Sequence, residues 1–390
     1  MRRDFSLQAF SAGLLAAFVG YASSFAVVVQ GLTAVGASRA ESTSGLAALA
    51  IAMGICAIWL SARSRLPISI AWSTPGAALL ASTGPVPGGF AAAVGAFLVV
   101  GVAIVAAGVW RRPARWVAAI PAPLANAMLA GVLLSLCLAP VRAVAVLPAL
   151  ALPVVVIWAV MARLCRLFAV PVAALTMLAV TFATTRLDTV TLGTMWPTPV
   201  LVMPVFTLHA MIGIALPLFI VTMASQNVPG LAVLRANGFS PPAGRLFTTT
   251  GVFTLLSAPF GGHSVNLAAI TAALCAGTDA HPDPGRRYWA AIVAGGFYIA
   301  FGLASGGAIA FVNLAPPILI QAVAGLALLG AFGSAMLAAV AEAADREAAM
   351  VTFLVSASGI TLFGVGGAFW GLVAGGALLA LSRWRPAVPG

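Results

Sequence analysis

Apolar runs of about 17 to 25 residues follow one another along almost the whole of this 390-residue chain. Each is long enough to cross a hydrocarbon core of roughly 30 Å, so the chain must satisfy its backbone in lipid, as a bundle of helices. The composition agrees: 62% of residues are hydrophobic and 7% charged, and the mean hydropathy is +1.11. No stretch remains for a soluble catalytic domain. Spans are predicted at roughly 8–30, 44–62, 68–84, 89–110, 121–139, 145–165 and 168–184, then at roughly 207–234, 243–259, 260–277, 288–313, 317–340, 347–363 and 365–383. The fold class expected is an all-α polytopic membrane protein of about fourteen spans.

The net charge of +11 would suggest nucleic acid in a soluble protein. Here the 19 basic residues, all arginine, sit at the ends of apolar runs. Threading the spans with both termini in the cytoplasm leaves Arg39, Arg142 and Arg186 outside and every other arginine inside, the bias that the positive-inside rule predicts. The charge is a topology signal for a multi-pass protein of a bacterial inner membrane, and no nucleic-acid partner is expected. The first apolar run, Leu7 to Val35, is too long for the h-region of a cleaved signal. Cys56, Cys137, Cys165 and Cys275 stand singly in apolar runs, with the spacing of neither a disulfide framework nor a metal site. No cofactor and no metal are expected.

Two internal echoes suggest duplication. FSLQAFSAG from Phe5, continuing to TAVGAS at Thr33–Ser38, resembles FTLHAMIGI from Phe206, continuing to RANGFS at Arg235–Ser240. STPGAALLA at Ser73–Ala81 lies over SVNLAAITA at Ser264–Ala272 at a similar offset. Seven spans per half is odd, so the second half enters the membrane inverted, a plan found in many secondary transporters. In each half the third span is interrupted. Leu66–Trp72 reads LPISIAW, then Ser73-Thr74-Pro75 opens a short helix fading by Gly84. Ser or Thr at the cap with Pro in the first turn is a helix start, here at mid-membrane depth. The second half repeats the break at Ser257–His263, with His263 or Ser264 expected at the cap of a helix over Leu267–Ala276. Matching breaks in the third and tenth spans mark a substrate site.

Two half-helix N-termini, each worth about half a positive charge, favour an anion. The expected donors are backbone N–H groups near Thr74 to Gly76 and Ser264 to Asn266. All eight acidic residues fall in loops or at span ends, and a transporter of cations would place a carboxylate in the core. The intramembrane polar residues make a short list. Ser225-Gln226-Asn227 interrupts the eighth span, and amides at that depth serve either a ligand or a neighbouring helix. His263 and Asn266, with Gly262, flank the tenth span's cap; a histidine there is either a structural partner or a working group. Trp72 either packs in the core or stacks on an aromatic ligand. His263 is also the midplane side chain whose unperturbed pKa of about 6.5 suits it to proton coupling.

At WSTPGAALLAS (Trp72–Ser82), MASQNVPGLAVLRANG (Met223–Gly238) and FGGHSVNLAAITAALCAG (Phe260–Gly277) the chain resembles the benzoate:proton symporter family, the BenE-type membrane transporters, over essentially its whole length. That family is similar in fold to the uracil and xanthine permeases and the sulfate permeases. The resemblance implies seven plus seven inverted spans, with a core domain from 1–118 and 201–314 and a gate domain from 119–200 and 315–390. A homodimer is compatible with this plan. In the uracil permeases acidic residues of the eighth and tenth spans hold the base; Gln226 and His263 occupy those places here, a departure that favours a carboxylate. The function expected is alternating-access import of benzoate or a related aromatic carboxylate with a proton. The alternatives are another anion or a nucleobase as substrate, or an anion channel. An enzyme would need a nucleophile with its base, or a metal cluster, and neither pattern occurs.

Overall fold

In a computed structural model the structure describes residues 6–110, 121–184, 196–268, 270–363 and 365–383. Helices dominate. The first half contains α1 (Leu7–Ala22), α2 (Phe25–Ala34), α3 (Arg39–Ser64), strand β1 (Ile70–Trp72), α4 (Thr74–Thr83), α5 (Gly89–Val109), α6 (Ala122–Cys137), α7 (Ala139–Val146), α8 (Pro148–Leu164) and α9 (Ala169–Thr184). The second contains the long helix α10 (Leu208–Ala236), then α11 (Ala243–Ser257), β2 (Val265–Leu267), α12 (Ile270–Ala276), α13 (Tyr288–Leu303), α14 (Ser305–Leu314), α15 (Pro317–Val340), α16 (Arg346–Ala357), a small hairpin β3–β4 (Thr361–Leu362 and Val365–Gly366) and α17 (Gly367–Arg383). Among the described residues seven helical stretches are long and apolar enough to cross a membrane: Leu7–Ala34, Arg39–Ser64, Gly89–Val109, Ala122–Val146, Arg166–Ala183, Leu208–Ala236 and Pro317–Val340. Arg2, Arg3, Asp4, Arg111, Arg112, Arg115, Arg186, Asp188 and Arg385 lie outside the described residues.

Three expectations need correction. The first span is not one helix: it breaks at Ser23–Ser24, where both hydroxyls donate back to Gly20 O, at 3.4 and 2.9 Å. The fifth, whose helix α6 ends at Cys137, is prolonged by a second helix: Pro140 sits in the first turn of α7, which carries the apolar stretch on to Val146. In the tenth, Val265–Leu267 is strand and the helix begins at Ile270, so neither His263 nor Ser264 is its cap. The physical reason is β1. It pairs antiparallel with β2 in the register Ile70↔Leu267, Ala71↔Asn266, Trp72↔Val265, and Ser73 N–H continues the ladder onto Ser264 O at 3.3 Å. Pairing two unwound segments satisfies backbone groups that would otherwise be stranded where water is scarce.

Helices pack closely through small residues, as expected where lipid supplies no hydrophobic drive between them. A Cβ on Gly54 of α3 would stand 2.5 Å from Gly295 O of α13, and one on Gly295 2.6 Å from Gly54 O. The most extensive packing falls into two sets: α1 and α3 on α13, α5 on α11 and α2 on α4; and, separately, α6 on α15 and α16, α16 on α17, and α8 on α9.

Candidate substrate site

The β1–α4 junction is the centre of the site. Ser73, extended at φ −79°, ψ 92° and fully buried, is the N-cap of α4. Its Oγ accepts from Gly76 N–H at 3.0 Å, and Pro75 has no N–H to give. Of the first-turn donors this leaves Thr74 N–H without a partner among the described residues, at the positive end of the helix dipole. Gly76 has to be glycine, since a Cβ would stand 2.7 Å from Ser73 Oγ and 2.5 Å from Leu218 Cδ1.

Thr74 and Pro75 border a cavity of about 110 Å³. Trp72 forms one wall, Ser23 and Ser24 at the α1–α2 break another, and Thr271 of α12 with Tyr298 of α13 a third. Gln226 of α10 and Ala327, Leu328 and Ala331 of α15 complete the lining. The lining is mostly apolar, and no acidic or basic residue contributes to it. A cavity of about 150 Å³ admits benzene, so this space, though smaller, approaches the scale of one aromatic ring.

The expected site residues divide. Trp72, Thr74, Pro75 and Gln226 line the cavity. Trp72 serves packing and lining together: it is 2% exposed, its ring lies 5.3 Å from that of Tyr21, and its Nε1–H donates to Ser24 Oγ at 2.9 Å. Gln226 sits in a stretch, Met223–Asn227, where α10 widens into a π-type turn, a distortion common at functional positions. Its two neighbours face elsewhere. Ser225 Oγ donates to Val221 O at 2.6 Å. Asn227 is fully buried, its Oδ1 accepting from Leu267 N–H at 2.9 Å and its Nδ2 donating to Met223 Sδ at 3.1 Å.

Gly262, His263, Ser264 and Asn266 are not among the residues that line the cavity. Gly262 N–H donates to Ser257 O at 3.0 Å. Ser264 Oγ is 3.3 Å from Thr222 Oγ1. Asn266 Nδ2 donates to the carbonyl of the next residue, Leu267, at 2.8 Å, and its Oδ1 is buried without a partner among the described residues. Of the anion donors expected on this side, Val265 N–H is spent on Thr254 Oγ1 and Asn266 stands opposite Ala71 in the β1–β2 ladder; the next two N–H groups, of Leu267 and Ala268, go to Asn227 Oδ1 and Ser69 O. His263 is fully buried, its ring edge-on to Phe97 at 6.3 Å, with Nε2 2.9 Å from Ser73 O. It touches the cap of α4 and not the cavity.

Ser23, Ser24, Thr271 and Tyr298 escaped the sequence reading. The Ser23–Ser24 pair in mid-span was the visible signal for two of them; Thr271 and Tyr298 read as helix residues like any others. A larger cavity of about 380 Å³ lies between α3, α11 and the Trp196–Pro199 segment. Its lining is almost wholly apolar, and its two serines, Ser44 and Ser257, donate to backbone carbonyls.

The profile of the benzoate membrane transport protein (BenE) family matches residues 3–381. The inner membrane protein YdcO of Escherichia coli (strain K12) is 41% identical over 367 residues, 94% of this chain and 93% of that protein. The benzoate membrane transport protein of Acinetobacter baylyi is 31% identical over 378 residues, 96% of this chain and 95% of that one. Among solved structures, the transmembrane domain of a cyanobacterium bicarbonate transporter, BicA, superposes with a TM-score of 0.63 at 14% identity, over 95% of this chain and 97% of its own; at that identity the likeness is one of fold. From a profile match over nearly its whole length and two full-length relatives, the chain belongs to the benzoate membrane transport protein family, a family of membrane transporters and not of enzymes.

Proposed function

We propose that this protein imports benzoate or a close aromatic carboxylate together with a proton across a bacterial inner membrane. The observation that carries the reading is the meeting of α4's N-terminus, with Thr74 N–H unspent, and the Gln226 amide in a ring-sized cavity without acids. The carboxylate takes Thr74 N–H and the Gln226 amide N–H, and the ring lies along Trp72. A nucleobase would want an acceptor carboxylate where Gln226 stands. Sulfate would leave the apolar walls unused.

An anion entering a cell that is negative inside costs about 2.3 kcal/mol per unit charge per 100 mV, so accumulation needs a cation partner. We assign that partner, a proton, to His263. It acts through Ser73: an imidazolium on the Ser73 carbonyl puts a positive charge beside the α4 cap, and by linkage each of the two ligands favours the binding of the other. The movement is alternating access of a core domain (1–118 and 201–314) against a gate domain (119–200 and 315–390), in a fold of seven plus seven inverted spans with both termini cytoplasmic. Supporting it are the two sets of helix packing, the α15 residues that line the cavity beside core-domain residues, and the Ser73–Ser264 hydrogen bond joining the first residues of the matching segments STPGAALLA and SVNLAAITA. Saturable binding of labelled benzoate to the purified protein, displaced by other aromatic acids but not by sulfate or uracil, tests the substrate assignment; displacement by either of those two would overturn it.

A further inference from the structure

Benzoate has polar atoms at one end only, yet the cavity has a second polar patch. Gly20 is its hub. Ser23 and Ser24 both donate to Gly20 O, and an added Cβ on Gly20 would collide with the Tyr298 hydroxyl and stand 3.1 Å from Thr271 Cγ2. Ser23, Ser24, Thr271 and Tyr298 all line the cavity. This patch is separated from the Thr74 end by the indole of Trp72, whose backbone adjoins the α4 cap and whose Nε1–H reaches Ser24. The two polar regions are thus set apart by about the length of an aromatic side chain.

The hydrogen accounting gives the patch its character. The Tyr298 hydroxyl donates to Ala16 O at 3.3 Å. The Ser23 and Ser24 protons go to Gly20 O, and Ser24 Oγ accepts from Trp72 Nε1–H; Thr271 Oγ1 shares a hydrogen bond with Ser69 Oγ at 2.9 Å in which either hydroxyl can be the donor. With the Tyr298, Ser23 and Ser24 protons committed, those oxygens keep lone pairs, so the patch chiefly accepts. Its groups are already satisfied inside the protein, so an unsubstituted ring leaves none of them stranded, while a ring carrying a donor gains a bond.

We infer that this patch is a second recognition point, and that the preferred substrates are aromatic carboxylates carrying a ring hydroxyl, which donates to Tyr298 Oη or Thr271 Oγ1. The inference rests on the proposed benzoate site and sharpens its substrate class.

The test is displacement of labelled benzoate from purified protein by the 2-, 3- and 4-hydroxybenzoates, each paired with the fluorobenzoate substituted at the same carbon. Fluorine fills similar space but donates no hydrogen bond. At one ring position or more, the hydroxy acid should displace at a concentration about three- to tenfold lower than its fluoro partner, the worth of one hydrogen bond. In Tyr298→Phe or Thr271→Val that ratio should fall towards one. If wild-type protein binds benzoate but hydroxy and fluoro acids displace it equally at all three positions, the second recognition point is refuted and the benzoate site stands. If labelled benzoate does not bind at all, the underlying site falls and this inference with it. Because the first comparison uses the wild-type protein, a variant that fails to fold does not blunt the test.

Discussion

His263 Nε2 lies 2.9 Å from the carbonyl oxygen of Ser73, the residue that caps α4. A carbonyl can only accept, so Nε2 carries the hydrogen and Nδ1, buried without a partner among the described residues, is the atom left to take a proton. The imidazole therefore reports to the anion site through one peptide unit. His263→Gln keeps a donor for Ser73 O but cannot titrate. This variant should bind benzoate, since the ring is not part of the cavity wall, and should lose accumulation driven by a pH gradient. Wild-type accumulation with wild-type pH dependence in vesicles containing the variant would remove His263 from proton coupling.

Thr74 separates a backbone donor from a side chain. Thr74→Pro deletes the N–H at the first helical position, where proline is well tolerated and where Ser73 is already extended as a following proline requires. Thr74→Ala keeps the N–H. Titration calorimetry should show benzoate affinity falling about tenfold or more in the proline variant and much less in the alanine variant. Equal affinities would place the carboxylate away from the α4 N-terminus.

Gln226 and Asn227 are adjacent but have opposite jobs. Gln226→Ala should raise the benzoate Kd about ten- to hundredfold, the worth of a hydrogen bond to a charged group, with little change in thermal unfolding. Asn227→Leu strands Leu267 N–H in a buried strand and should cost about 1–3 kcal/mol of stability, seen as a lower unfolding temperature in detergent. A reversal of the two effects would exchange their assignments.

Gly54 tests the helix packing beneath the site. Any larger residue must push α3 away from Gly295 O and Ile299 of α13. Gly54→Val should lower the unfolding temperature, with an overpacking cost of about 1–3 kcal/mol, whereas Gly296→Ala, where an added Cβ meets nothing within 4 Å, should be close to neutral.

Much of this was legible in the chain because membrane physics leaves few choices. Arg39–Ser64, Gly89–Val109 and Pro317–Val340 lie close to their predicted spans, since apolar length and flanking arginines leave little freedom. The Ser73-Thr74-Pro75 start was equally plain, because its cap chemistry is local. What failed was set by tertiary pairing. Ser264 resembles a helix cap in sequence, but β1 draws Val265–Leu267 into a ladder and delays the helix to Ile270. Ser225-Gln226-Asn227 could not be sorted by type. Consecutive residues on a helix point about 100° apart, so only geometry reveals which one reaches the cavity. Tyr298 and Thr271 gave no local sign, since what makes them notable is their meeting over Gly20 from elements far apart in the chain.

The most direct test of the central claim is uptake of labelled benzoate into proteoliposomes bearing an inside-alkaline pH gradient. Protein-free liposomes serve as the control for passive entry of the neutral acid. Predicted is protein-dependent, saturable accumulation above that control, driven by the gradient, abolished by a protonophore and strongly reduced in Gln226→Ala. Uptake equal to that of the protein-free liposomes, or protein-dependent uptake indifferent to the gradient, would contradict proton-coupled carriage of an aromatic carboxylate at this site.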